Sequence, residues 1–134
     1  MTNIALPHHI IKEIVAHAES QNEHEVCGLV SRNPDNRFHR YPVKNVANNS
    51  HCRFIMDPQE QIEAMRTIRE NNESLFAIYH SHPDGPALPS LTDLMEAAYP
   101  DALNLIVSLS QQPPEVRGFF IQDQHFAEVK LISQ

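Results

Sequence analysis

The chain has 134 residues, and ten Lys and Arg against seventeen Asp and Glu give it a net charge of −7. That length supports one ordinary core, and 41% hydrophobic with 20% charged residues excludes a disordered or collagen-like chain. The acidic balance argues against a general nucleic-acid binder, and no apolar run approaches the ~18–20 residues of a membrane helix. Residues 1–7 lack the basic start and continuous apolar stretch of a secretion signal, which points to a cytoplasmic protein. Pro7 followed by Ile10, Ile11, Ile14, Val15 and Ala18 predicts an amphipathic helix with proline near its start. Residues 26–31 read as a strand, and Asn33-Pro34-Asp35-Asn36 as a turn into a second strand over residues 38–46. Asn48-Asn49-Ser50 breaks the pattern, and residues 53–56 form a short strand candidate.

Asp57-Pro58-Gln59-Glu60 has the form of a helix start, with an N-cap aspartate, proline at the first helical position and glutamate three residues after the cap. Ile62, Met65 and Ile68 are expected to face the core until Asn71-Asn72 ends that helix. Residues 75–79 are an apolar strand. A proline-rich loop over residues 82–89 leads to a helix over residues 90–99, and three strands follow at 103–109, 116–121 and 126–131. Helices interleaved with strands predict a single α/β domain over residues 1–134, a sandwich with a mixed central sheet.

One segment concentrates polar chemistry: His80-Ser81-His82-Pro83, then Pro89-Ser90-Leu91-Thr92-Asp93. Alternate side chains on an extended backbone share a side, so His80 and His82 can present two imidazoles to one point. Asp93, in the first turn of a helix, can be folded back toward them by the proline-rich loop. Two neutral imidazoles and a carboxylate make a three-ligand zinc set with one position left for water, the arrangement of a catalytic site. Each piece alone has an ordinary structural explanation, since Ser90-x-x-Asp93 is also a good helix N-cap. A metal hydrolase also needs a proton carrier. The His-Glu-x-x-His motif is absent, and by spacing alone Glu25, just before the strand that starts at Val26, is one of eleven glutamates.

Glu25-Val26-Cys27-Gly28-Leu29, His80-Ser81-His82-Pro83 and Pro89-Ser90-x-x-Asp93 together closely resemble the JAMM (MPN+) metalloprotease family. Its signature is an upstream glutamate, His-x-His, ten residues and an aspartate, with a serine three positions before that aspartate. The resemblance runs from about Glu19 to Ile121. It implies a cytidine-deaminase-like α/β/α sandwich, with Zn2+ held by His80, His82 and Asp93. It further implies Glu25 as general base and acid, and Ser90 as a hydroxyl helping to stabilise the tetrahedral oxyanion. The activity it implies is hydrolysis of the bond after the C-terminal tail of a ubiquitin-like protein. There is little room for the two insertions of eukaryotic deubiquitinating members. The chain therefore looks like the short stand-alone prokaryotic type, which acts on a sulfur-carrier or modifier protein.

Two other classes compete. A non-catalytic MPN-type scaffold is disfavoured by the filled signature, and a RadC-like protein by the acidic balance and the Glu-x-Cys-Gly strand. Cys27 and Cys52 are too few for a disulfide framework and are expected to be reduced, buried thiols. The other histidines are expected at the surface or in packing roles. A substrate tail is expected to lie extended beside the strand that ends at His80. The basic stretch Arg32, Arg37, Arg40, Lys44 and Arg53 reads as a solvated face, with docking of an acidic carrier as the sharper possibility.

Overall fold

Alternation of side chains along the central strands divides the apolar residues between two faces of one sheet. The computed structural model describes residues 1–134. Its elements are β1 (Asn3–Leu6), α1 (His8–Ser20), β2 (Cys27–Arg32), β3 (Phe38–Val43), α2 (Pro58–Glu70), β4 (Ser74–His82), α3 (Leu91–Glu96), β5 (Leu103–Ser108), β6 (Glu115–Gln122) and β7 (His125–Ser133). The seven strands form one sheet in the order β1-β7-β6-β5-β4-β2-β3. The β4–β5 and β1–β7 pairs are parallel and the rest antiparallel, so the predicted mixed sheet and α/β class hold.

On one face, Ile10, Ile14 and Ala18 of α1 pack with Val30, Ala77, Tyr79, Leu103, Leu105 and Val107. On the other, Cys27, Leu29 and Ile78 pack with Ile68 of α2, and Ile106, Phe119 and Ile121 pack with Ala87 and Leu94 beside α3. Full burial of each large aliphatic side chain contributes roughly 1.5–3 kcal/mol. Along β4, Ala77 and Tyr79 therefore face α1, while Ile78, His80 and His82 face the side of α2 and α3. The sheet itself selects which face carries the histidines.

Several sequence expectations shift. The strand read as ending at Tyr79 runs on to His82, because His80 and His82 pair with Ile106 and Ser108 of β5. β1 was not expected; it is four residues long with only Leu6 buried, too little pattern to read. The strand candidate at residues 53–56 is a single bridge between Asn45 and Met56. Asp57 does cap α2, accepting from the Glu60 amide at 3.0 Å. The Glu60 carboxylate, however, accepts from the Lys44 amide at 2.8 Å rather than reaching back to the cap. The Asp57 amide is already donated to the Lys44 carbonyl at 2.8 Å. Ile62 is 59% exposed, because the covered stripe of α2 runs through Gln61, Ala64, Met65 and Ile68. The helix expected over residues 90–99 stops at Glu96, with Ala97 extended. Pro100 also disfavours helical backbone at Tyr99, whose hydroxyl accepts from Gln61 at 3.0 Å.

Gly28 marks a close approach in the sheet. A Cβ there would stand 2.5 Å from the Tyr79 ring and 2.6 Å from the Tyr41 carbonyl oxygen. Tyr79 is fully buried, and its hydroxyl meets His17 at 2.7 Å and Arg40 at 3.1 Å, so the ring cannot swing aside. Gly28→Ala is expected to cost roughly 1–3 kcal/mol by overpacking, read as a lower urea midpoint at unchanged slope.

Candidate active site

The C-terminal end of β4 is where the four signature side chains meet. One ligand atom each from Glu25, His80, His82 and Asp93 lies within 4.8 Å of all the others. Within that group, His80 Nε2, His82 Nε2 and Asp93 Oδ2 form a triangle with all three sides 3.1 Å. Ligand atoms about 2.0–2.1 Å from a tetrahedral ion stand roughly 3.3 Å apart, so the triangle has the size of a metal cradle.

Proton bookkeeping leads the same way. His82 Nδ1 donates to the Pro86 carbonyl at 2.8 Å, which leaves Nε2 of the neutral ring as a lone pair. That lone pair points at a carboxylate oxygen and at a second imidazole nitrogen. Only a proton or a metal cation between them relieves the repulsion. A proton serves one edge of the triangle, whereas a metal ion serves all three corners.

Local structure fixes each member. β4 holds His80 and His82 on one face because they are two residues apart. The His80 ring lies stacked on Phe54, centroids 4.6 Å apart. Ser90 caps α3 by accepting from the Asp93 amide at 3.0 Å, and the Ser90 amide donates to Asp93 Oδ2 at 2.9 Å, a complete capping box. The cap and the cradle are thus one construction, and neither explanation of Ser90-x-x-Asp93 displaces the other. Because its oxygen accepts there, the Ser90 hydroxyl keeps its proton to donate.

Glu25 is 4% exposed, and its Oε1 has no hydrogen-bond partner. Burial pushes its pKa up to about 8, the Asp93 charge adding to this and His82 opposing it. Asp93 goes the other way. Burial works against its charge, but hydrogen bonds from His80 and His82 and the Ser90 amide hold it well below the ordinary carboxylate range. His82 is disfavoured as a cation by burial, yet Asp93 and the Pro86 carbonyl outweigh that and raise it.

Two clefts meet at this cluster. One, about 430 Å³, is lined by Glu25, His82 and Ser90 together with His51, Cys52 and prolines of the 83–89 loop. The other, about 220 Å³, runs along Phe54, Ile55 and Tyr99 to His80 and Asp93. Cys27 is buried as expected, and burial pushes its thiol up to about 12. Cys52 is exposed, contrary to expectation, because it sits in a turn over residues 49–52 that protrudes at the cleft mouth. His17 packs against Tyr79, and His8, His9 and His24 bond to surface partners. Sequence reasoning missed Phe54, since an aromatic between Arg53 and Ile55 gives no sign that it covers a histidine.

Architecture and cradle together define an α/β domain with a Glu, His, His and Asp group that could hold a metal ion. Residues 7–122 match the pattern of the prokaryotic homologs of the JAB domain, and the chain belongs to that family. A desampylase of Haloferax volcanii is 34% identical over 86 residues, 63% of this chain and 62% of that protein, so the match spans under two-thirds of either. A CysO-cysteine peptidase of Mycobacterium tuberculosis is 32% identical over 131 residues, 93% of this chain and 88% of that one. A solution structure of a Desulfitobacterium hafniense protein shares 33% identity at a TM-score of 0.83, covering 97% of this chain and 92% of its own.

The raised Glu25 gives a signed pH dependence for the metal-free protein. The folded state binds this proton more tightly than the unfolded chain, whose carboxyl has its ordinary value of 4.5. Its contribution is complete below that value and is lost as pH rises through about 8. Chelated protein is expected to lose on the order of a few kcal/mol across that window in urea titrations, and Glu25→Gln to flatten the decline.

Proposed function

We propose that residues 1–134 act as a single zinc-dependent peptidase domain in the cytoplasm, hydrolysing the bond after the C-terminal tail of a ubiquitin-like sulfur-carrier or modifier protein. The 3.1 Å triangle of His80, His82 and Asp93 with the unpartnered Glu25 carboxyl beside it carries the reading. The relatives' names, desampylase and CysO-cysteine peptidase, support a peptidase over a scaffold. No helix is long and apolar enough to cross a membrane, and two free cysteines suit a reducing compartment.

His80, His82 and Asp93 would hold the ion, and Glu25 stays outside as the proton carrier. When bound, zinc supplies Lewis acidity, drawing the pKa of a water toward ~7 and polarising a carbonyl oxygen. Glu25 takes a proton as the water's oxygen bonds to the scissile carbon, then delivers it to the leaving amine as the C–N bond breaks. The Ser90 hydroxyl, in the same cleft as Glu25, donates its free proton to the developing oxyanion.

The fold revises how the tail can lie. β4 is paired on both edges, to β2 and to β5, so its main-chain groups are spent and the tail cannot add beside it as a strand. The two clefts are the available approaches. The basic stretch is also divided. Arg32 lies over Phe76, Arg40 is tied to Tyr79 and Glu13, and Arg53 pairs with Glu96. Arg32, Arg37 and Lys44 of that stretch are exposed without a side-chain ion pair, which favours the solvated-face reading.

Zinc-loaded protein incubated with ubiquitin-like carriers bearing a C-terminal extension should release the extension, seen as a loss of its mass from the intact carrier. Persistence of every extended carrier at full zinc occupancy would sink the peptidase reading. Glu25→Gln should retain zinc yet lose ~10²–10⁴-fold in turnover, since an amide cannot accept the proton. His80→Ala with His82→Ala should abolish the one-ion stoichiometry measured by metal analysis, and unchanged zinc content would relocate the site.

A further inference from the structure

Glu25 lies outside any helix or strand, so something other than a ladder must hold its carboxyl against the cradle. Its own amide donates to the Ser50 carbonyl at 2.7 Å. The next amide, of Val26, donates to Ser81 Oγ at 2.9 Å, and the Ser81 amide returns a bond to the Val26 carbonyl at 3.1 Å. Ser81, between the two histidines, thereby ties the Glu25 segment to the ligand strand. The Glu25 carbonyl is taken by a side chain from elsewhere in the chain: Asn45 Nδ2 donates to it at 2.9 Å.

Asn45 spends its whole bonding capacity here. Nδ2 also donates to the Arg53 carbonyl at 2.9 Å, and Oδ1 accepts from the Ala47 and Ile55 amides at 3.0 Å each. Turning the amide over would set NH₂ against two amides and oxygen against two carbonyls, so the network fixes its orientation. Between its partners Arg53 and Ile55 stands Phe54, the residue stacked on His80. One half-buried amide therefore joins the peptide of the proton carrier to the segment that covers a cradle histidine.

We infer that Asn45 is a positioning residue for the reaction, holding Glu25 and the 53–55 segment as one body so that the carboxyl stays in register with His80, His82 and Asp93. The inference rests on the peptidase reading for its catalytic meaning. Its structural content, that Asn45 restrains the Glu25 segment, stands apart from that reading. A misplacement of the order of an ångström in a proton carrier costs up to ~10²-fold in rate. Loss of Asn45 therefore acts on turnover rather than on binding, and does so through Glu25.

Asn45→Ala should lower kcat on an extended carrier roughly 10–100-fold, with KM and zinc stoichiometry at wild-type values. In a Glu25→Gln background the same change should have no further effect, because the group it positions is already gone. Equal fractional losses in the two backgrounds, or wild-type kcat in Asn45→Ala, would overturn the inference. A second readout needs neither zinc nor substrate. Hydrogen exchange by NMR on the metal-free chain should show the Glu25 and Val26 amides exchanging about tenfold faster or more, with β5 and β6 amides unchanged. Uniform acceleration across the sheet would mark Asn45 as merely structural. If Asn45→Ala does not fold, Asn45→Asp keeps the acceptor half for Ala47 and Ile55 and removes both donors, and it should show the same two effects. Should the wild type cleave no carrier, the peptidase reading fails while the exchange experiment still decides whether Asn45 restrains Glu25.

Discussion

Three nitrogen and oxygen atoms of buried side chains converge on one point, and this site is built to hold them there. His80 Nε2, His82 Nε2 and Asp93 Oδ2 stand 3.1 Å apart. The restraint comes from β4, paired on both edges to its last residue on the β5 side, and from the capping box that pins Asp93 to Ser90. A cation held by these three atoms would bind the folded chain and not the unfolded one, so its binding would add to folding free energy. The two-faced core supplies the rigidity: α1 secures one face of β4 while α2 and α3 flank the other.

Burial pushes both carboxyls up, and hydrogen bonds then separate them. Asp93 has imidazoles and an amide to share its charge and remains an anion. Glu25 has an unpartnered oxygen and no donor to offset its desolvation, so in the metal-free protein its pKa rises to about 8, and a cation in the cradle would favour the anion that accepts a proton. On the proposed peptidase reading, these neighbours become ligand and proton carrier chiefly through hydrogen-bond supply, the division expected wherever two carboxyls take separate roles.

Much of this was legible in the sequence, for physical reasons. The helical spacing of Ile10, Ile14 and Ala18 and the Asp57 cap are local codes that tertiary structure left standing. The His-x-His spacing fixed a shared face because strand side chains alternate. What failed was non-local. The length of β4 depends on β5 pairing through His82, and β1 exists because β7 offers a parallel edge to four residues with little pattern of their own. Ile62 carried the right chemistry at the wrong angle, one position off the covered stripe. Tyr79, Phe54 and Asn45 escaped for a common reason. Each acts on a partner far along the chain, and nothing in its own neighbourhood encodes that partner.

The central position of β4 also bears on how such a protein can change over time. Because both edges of β4 are occupied, the proposed approach of a substrate falls to the segments around residues 48–56 and 83–99, which line the two clefts. These segments include exposed side chains such as Ile55 and Leu88 that support little of the core. On the proposed peptidase reading, replacements at such positions would re-aim the molecule toward a new client without disturbing β4. Chemistry and client choice are thereby nearly separable in inheritance. A lineage can diversify its targets by drift in the walls while the reaction centre stays constant.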